Sequence, residues 1–132
     1  MLNVADKKFK KAGAININTL ISDATNTGLS DGIFDVALIS LVLHESSEAL
    51  CTRLINEAKR IIKDDGRLFI IEWEQPKQFV QRVKFAPIKW MEPKGFKQFI
   101  NLDLQKWFYE KGFKLVEKKS CDYSQVLELA KI

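Results

Sequence analysis

His44 is the only histidine in a chain of 132 residues. An imidazole has an ordinary pKa near neutrality, so it can take a proton from a reacting group and pass it on. The plainer reading is a histidine that packs against or caps a helix. The run His44-Glu45-Ser46-Ser47-Glu48 imitates the opening of a zinc-protease His-Glu-x-x-His motif, but its fifth residue is Glu and no second imidazole exists to complete the site. Cys51 and Cys121 are the only cysteines, too few for a zinc site or a disulfide framework. No metal is expected.

Three other groups could do chemistry. Asp23-Ala24 closes a β-branched run, and its carboxylate could accept a ligand hydrogen bond or cap the next turn. Ser40 and Leu41 follow an apolar run, at the carboxyl end of a strand where ligands bind in open α/β folds. Simple strand termination is the alternative. Glu72, Trp73 and Glu74 end a second apolar run and could line a substrate pocket. Otherwise Trp73 belongs to the core and the acids to its rim.

The elements that must position these residues follow from periodicity. Residues 4–12 read as a polar helix stopped by Gly13. Residues 14–22 (AININTLIS) are β-branched and read as a strand. Residues 25–32 are a loop by their Thr, Asn, Gly, Ser and Asp content. Residues 34–40 (FDVALIS) and 67–73 (RLFIIEW) are strands buried on both faces, as in a parallel sheet. Between them Ser46-Ser47 caps a helix reaching about Lys63, with Leu50, Leu54, Ala58, Ile61 and Ile62 on one stripe. Asp64-Asp65-Gly66 reads as a stop and turn. Phe96, Phe99, Ile100, Leu104, Trp107 and Phe108 recur at helical spacing over 95–111. Residues 114–119 and 125–131 form an antiparallel hairpin with its turn near Asp122-Tyr123.

Composition limits the classes. The chain is 46% hydrophobic and 29% charged, a globular balance that excludes whole-chain disorder. No apolar run approaches the roughly 18 residues of a membrane span. The first eleven residues, MLNVADKKFKK, lack a signal-peptide core, so a cytoplasmic protein with no membrane partner is expected. Net charge is +4, but residues 76–119 hold eleven Lys/Arg against four Asp/Glu. That +7 stretch reads first as a solvated lysine-rich face. Lys84, Lys89, Lys94 and Lys97, interleaved with aromatics, leave nucleic-acid binding as an alternative.

The joint order of these motifs resembles class I S-adenosylmethionine-dependent methyltransferases, specifically the type 11 group. The matching pieces are Asp23-Ala24, Phe34-Asp35-Val36-Ala37-Leu38, Leu43-His44, Glu57-Ala58-Lys59-Arg60-Ile61-Ile62-Lys63, Asp64-Asp65-Gly66-Arg67-Leu68 and Gly112-Phe113. The resemblance implies an α/β fold: a partial Rossmann-like methyltransferase sheet, mainly parallel, with a C-terminal antiparallel hairpin and helices on both faces. It implies a methyl group moved from S-adenosyl-L-methionine to a small-molecule acceptor. Asp23 and Ala24 would then lie on the adenine side of the cofactor, and Ser40 and Leu41 would touch it. His44 would take the acceptor's proton, with Glu72 and Trp73 on the substrate side. Asp35, at the entrance of its strand, would be structural.

The chain also departs from that group. Its glycines at 13, 28, 32, 66, 95 and 112 never approach the Gly-x-Gly spacing that lets a backbone close on a nucleotide. Gly28-Leu29-Ser30 stands where the group usually shows Leu-Pro. The expectation is a single truncated domain over residues 1–132 that lacks the glycine-rich cofactor half, either inactive alone or converted to an interaction module. The family's sheet order, 3-2-1-4-5-7-6, then leaves a gap beside residues 34–40. Either residues 14–22 pair with 34–40 directly, or the chain joins a second copy or another chain through that edge.

Overall fold

The computed structural model describes residues 2–74, 102–121 and 123–132. Helix α1, Leu2–Lys11, carries Lys8, Lys10 and Lys11 in its last turn, where cations suit the helix dipole. It stops where Gly13 adopts a φ of 67°, the left-handed cap that glycine takes without penalty. Strand β1, Phe34–Ser40, is followed by a short 3-10 turn, Leu43–Glu45, and by helix α2, Glu48–Ile61. The Ser47 side chain caps α2 by accepting from the Leu50 amide. Strand β2 spans Ile62–Trp73, helix α3 Leu104–Glu110, strand β3 Phe113–Cys121 and strand β4 Ser124–Lys131.

The sheet order is β1-β2-β4-β3. β1 and β2 are parallel, whereas β2–β4 and β3–β4 are antiparallel. This mixed sheet with a C-terminal hairpin keeps the expected α/β class, but among the described residues it is not mainly parallel, because two of its three pairings are antiparallel. One parallel pair is present among the described residues. Side chains alternate across β2: Leu68, Ile70 and Glu72 are fully buried, while Phe69, Ile71 and Trp73 are half-buried. Leu68 and Ile70 meet Leu127 and Leu129 of β4, Ile55 and Ala58 of α2, and Trp107 and Phe108 of α3 in one core. Trp107 and Phe108 are therefore core residues and present no base-stacking surface. The lysines and apolar residues between 75 and 101, including Phe96, Phe99 and Ile100, lie outside the described residues.

Two local expectations are corrected. Residues 14–22 form no strand. A strand needs a neighbour for its backbone groups, and β1 pairs only with β2 among the described residues. Ile15 and Ile21 are 98% and 83% exposed instead. Asp64-Asp65-Gly66 does not separate helix from strand, because β2 begins at Ile62, directly after α2. The turn signal becomes a bulge: Phe34 pairs with Ile62 and Val36 with Arg67. Four residues of β2 therefore bow out opposite Asp35. A Cβ on Gly66 would lie 3.0 Å from both the Asp35 and Lys63 carbonyl oxygens, so this crowded bulge favours glycine. Asp35 sits at the strand entrance, paired with Lys63 at 2.6 Å. That hydrogen-bonded ammonium lowers its carboxyl pKa.

The 25–32 loop is fastened to α2 by Glu57. One carboxylate oxygen accepts from the Thr27 amide and hydroxyl at 2.8 and 2.6 Å. Arg60 binds both oxygens of the same carboxylate and reaches on to Asp31. The Arg60 and Thr27 hydrogen bonds hold the Glu57 pKa down at about 2.

Candidate functional site at the carboxyl ends of β1 and β2

The two parallel strands end side by side, and the chain leaves β1 through a strained residue. Leu41 has a φ of 54°, a conformation that costs a residue with a Cβ roughly 1–2 kcal/mol. Its amide donates to the Ile71 carbonyl at 2.8 Å. The turn aims the next two amides at the end of β2. Val42 and Leu43 donate to one oxygen of Glu72 at 2.9 and 2.7 Å. The other oxygen lies 2.7 Å from Nδ1 of His44.

Glu72 is thus wholly buried and His44 only 3% exposed. A buried carboxylate needs such partners, and two backbone donors on one oxygen suit its ionised form. An ionised Glu72 can only accept, so Nδ1 of His44 carries the shared hydrogen. Nε2 of His44 lies 3.6 Å from the carboxylate of Glu45, which is largely exposed. Trp73 stands edge-on to the imidazole, with ring centroids 6.4 Å apart. The Ser46 hydroxyl closes the turn by donating to the Val42 carbonyl at 2.9 Å. The Cys51 thiol packs beneath, donating to the Leu43 carbonyl at 3.3 Å. Burial, followed by the charge of Glu72, pushes that thiol's pKa up.

The structure brings some of the sequence candidates together and leaves others apart. His44, Glu72 and Trp73 converge, with Ser40 and Leu41 leading into the same turn. The Glu72 carboxylate is engaged by the turn, through the Val42 and Leu43 amides and His44. The signal was present in the sequence, since Glu72 shares the parity of Leu68 and Ile70 and must point to the core. Glu45, named in the sequence only within the incomplete His-Glu-x-x-His run, lies beside Nε2 of His44. Glu74 pairs with Lys118 at 2.7 Å. Asp23 is elsewhere in its bonding: its carboxylate accepts from the amide and hydroxyl of Thr25, both at 2.8 Å. Those two bonds lower its pKa. Asp23 and Ala24 are exposed, and no hydrogen bond joins them to Ser40 or Leu41 among the described residues.

These contacts test the fit of an adenosyl cofactor. Ser40 and Leu41 offer one wall at the strand ends. Asp23 is already satisfied within its own turn, and the sequence has no Gly-x-Gly turn. The described residues therefore do not build a complete cofactor cradle. No group of three His, Cys, Asp or Glu side chains among them could hold a metal ion. No described helix is long and apolar enough to cross a membrane.

Residues 1–120 match the model of the ubiE/COQ5 methyltransferase family. The chain belongs to that family. A curated relative, the demethylmenaquinone methyltransferase of Bacillus velezensis, is 29% identical over 79 residues, which make up 60% of this chain and 33% of that protein. Among solved structures, a SAM-dependent methyltransferase from Aquifex aeolicus superposes with a TM-score of 0.73 at 20% identity, covering 98% of this chain and 63% of that one. The magnesium protoporphyrin IX methyltransferase of Synechocystis PCC 6803, solved with bound SAH, gives 0.66 at 22% identity, covering 100% and 60%. These likenesses show the fold of a class I methyltransferase. The chain spans about a third of the curated relative and under two thirds of these two structures. The described residues include the β1–α2–β2 unit and the C-terminal hairpin.

Proposed function

We propose that this chain contributes the acceptor side of an S-adenosylmethionine-dependent methyl transfer, with His44 as proton acceptor and Trp73 beside it. The acceptor we propose is a demethylmenaquinone-type aromatic in its hydroxylated, reduced form, by analogy with the Bacillus relative. Replacing hydrogen by methyl on such a ring releases one proton. The observation that carries the reading is the His44–Glu72 pair at the strand ends. With Nδ1 hydrogen-bonded to a buried carboxylate, proton uptake falls to Nε2, and Glu72 then stabilises the imidazolium. Glu45 marks the rim beside Nε2.

The test is transfer of a labelled methyl group from S-adenosylmethionine to reduced demethylmenaquinone by the protein isolated in its native form. The expected result is transfer by the wild type and a loss of about 10²–10⁴-fold in His44→Gln, the usual range for a general base. Absence of transfer, or an unaffected variant, overturns the reading.

A specific observation also favours association. The outer edge of β1 has no neighbour among the described residues, and Val36 and Leu38 are 53% and 59% exposed. We propose that residues 14–22 of a second copy add to this edge, covering apolar surface on both sides of the exchange. Sedimentation should show a dimer that Leu38→Lys converts to monomer. A wild-type monomer at high concentration is the contrary result.

A further inference from the structure

We infer that Glu72 is a positioning residue: it fixes the tautomer of His44 and holds the turn that presents its Nε2. The inference rests on the reading of His44 as proton acceptor, yet its geometry stands alone. Each oxygen of the carboxylate has its own task. One takes the amides of Val42 and Leu43, and the other takes Nδ1 of His44. The same side chain therefore sets where the backbone of the turn lies and which imidazole nitrogen carries hydrogen.

A neutral imidazole in water distributes its hydrogen between two nitrogens. Here the Nε2–H tautomer would place the Nδ1 lone pair 2.7 Å from a carboxylate oxygen, two acceptors facing each other in a buried site. Such a contact loses the bond and adds repulsion. The Nδ1–H tautomer avoids it. Glu45, 3.6 Å from Nε2, has 62% of its side chain exposed, so water screens it and it imposes no comparable order. Leu41 supplies the independent sign that this turn is held: its φ of 54° persists only where surrounding bonds over-determine the backbone. The anchors are the Leu41–Ile71 bond on one side and Glu72 on the other.

The chain's single histidine makes the test direct. Long-range proton–nitrogen NMR of the full chain, recorded above the imidazole titration, reads the protonation of each ring nitrogen. The expected wild-type spectrum has a hydrogen-bearing Nδ1 and a bare Nε2. Glu72→Gln should shift the ring toward a mixture, and exchange at the Val42 and Leu43 amides should accelerate at least tenfold. A wild-type spectrum with hydrogen on Nε2 overturns the inference without need of any variant, as does a folded Glu72→Gln with an unchanged tautomer. The methyl-transfer assay fails separately: an active His44→Gln removes the proposed base while the tautomer result still decides the role of Glu72.

Discussion

Two buried glutamates organise this molecule, at opposite ends of the β1–α2–β2 unit, and they differ in the partner they hold. Glu57 fastens the 25–32 loop with Thr27 and Arg60. Its cation is a guanidinium, which keeps its proton under all ordinary conditions, so the cluster is a permanent staple. Glu72 fastens the 41–46 turn with two amides and an imidazole. An imidazole offers ring nitrogens whose hydrogens depend on their partners. The same carboxylate chemistry thus ties a loop to α2 in one place and a turn to its own imidazole in the other.

The comparison breaks or sharpens at three points. The largest effect belongs to Glu72→Ala, which leaves two amides and an imidazole N–H without an acceptor. It should cost about 3 kcal/mol in urea unfolding, the scale of stranded buried donors. Glu57→Ala should cost less, because Arg60 is 32% exposed and can turn to water. Equal losses would erase the distinction. Next comes acid. The Glu57 pKa is lowered from 4.5 to about 2 on folding, so its contribution is complete above 4.5 and is lost as pH falls through 2. Glu57→Gln should flatten the stability curve across that window, and an unchanged acid limb would contradict the staple. Smallest is Leu41→Gly, which relieves the left-handed residue. It should stabilise the fold by up to about 1 kcal/mol; a clear loss would mean that the Leu41 side chain, not the backbone turn, matters there.

Much of the fold was legible. The α2 stripe, its Ser47 cap, the alternation of β2 and the hairpin all rest on local periodicity, and the family resemblance rests on the order of those pieces. The strand expected at 14–22 was not, because β-branched composition records a preference and a strand also needs a partner. Glu57 shows the same limit. It lies beside the Leu54–Ala58 stripe and reads as solvent-facing. The 25–32 loop folding over it makes it 6% exposed.

By itself the sequence determined the α/β class, the methyltransferase kinship and the lone imidazole just past β1. Those depend on residue types, spacing and short-range periodicity, which survive in a string of letters. Only the tertiary structure decided what the imidazole meets. Residues 44 and 72 are 28 apart in sequence, and no local rule pairs them. The parallel crossover brings the ends of β1 and β2 together. Buried there, the carboxylate of Glu72 needs partners, and the amides and imidazole of the turn supply them.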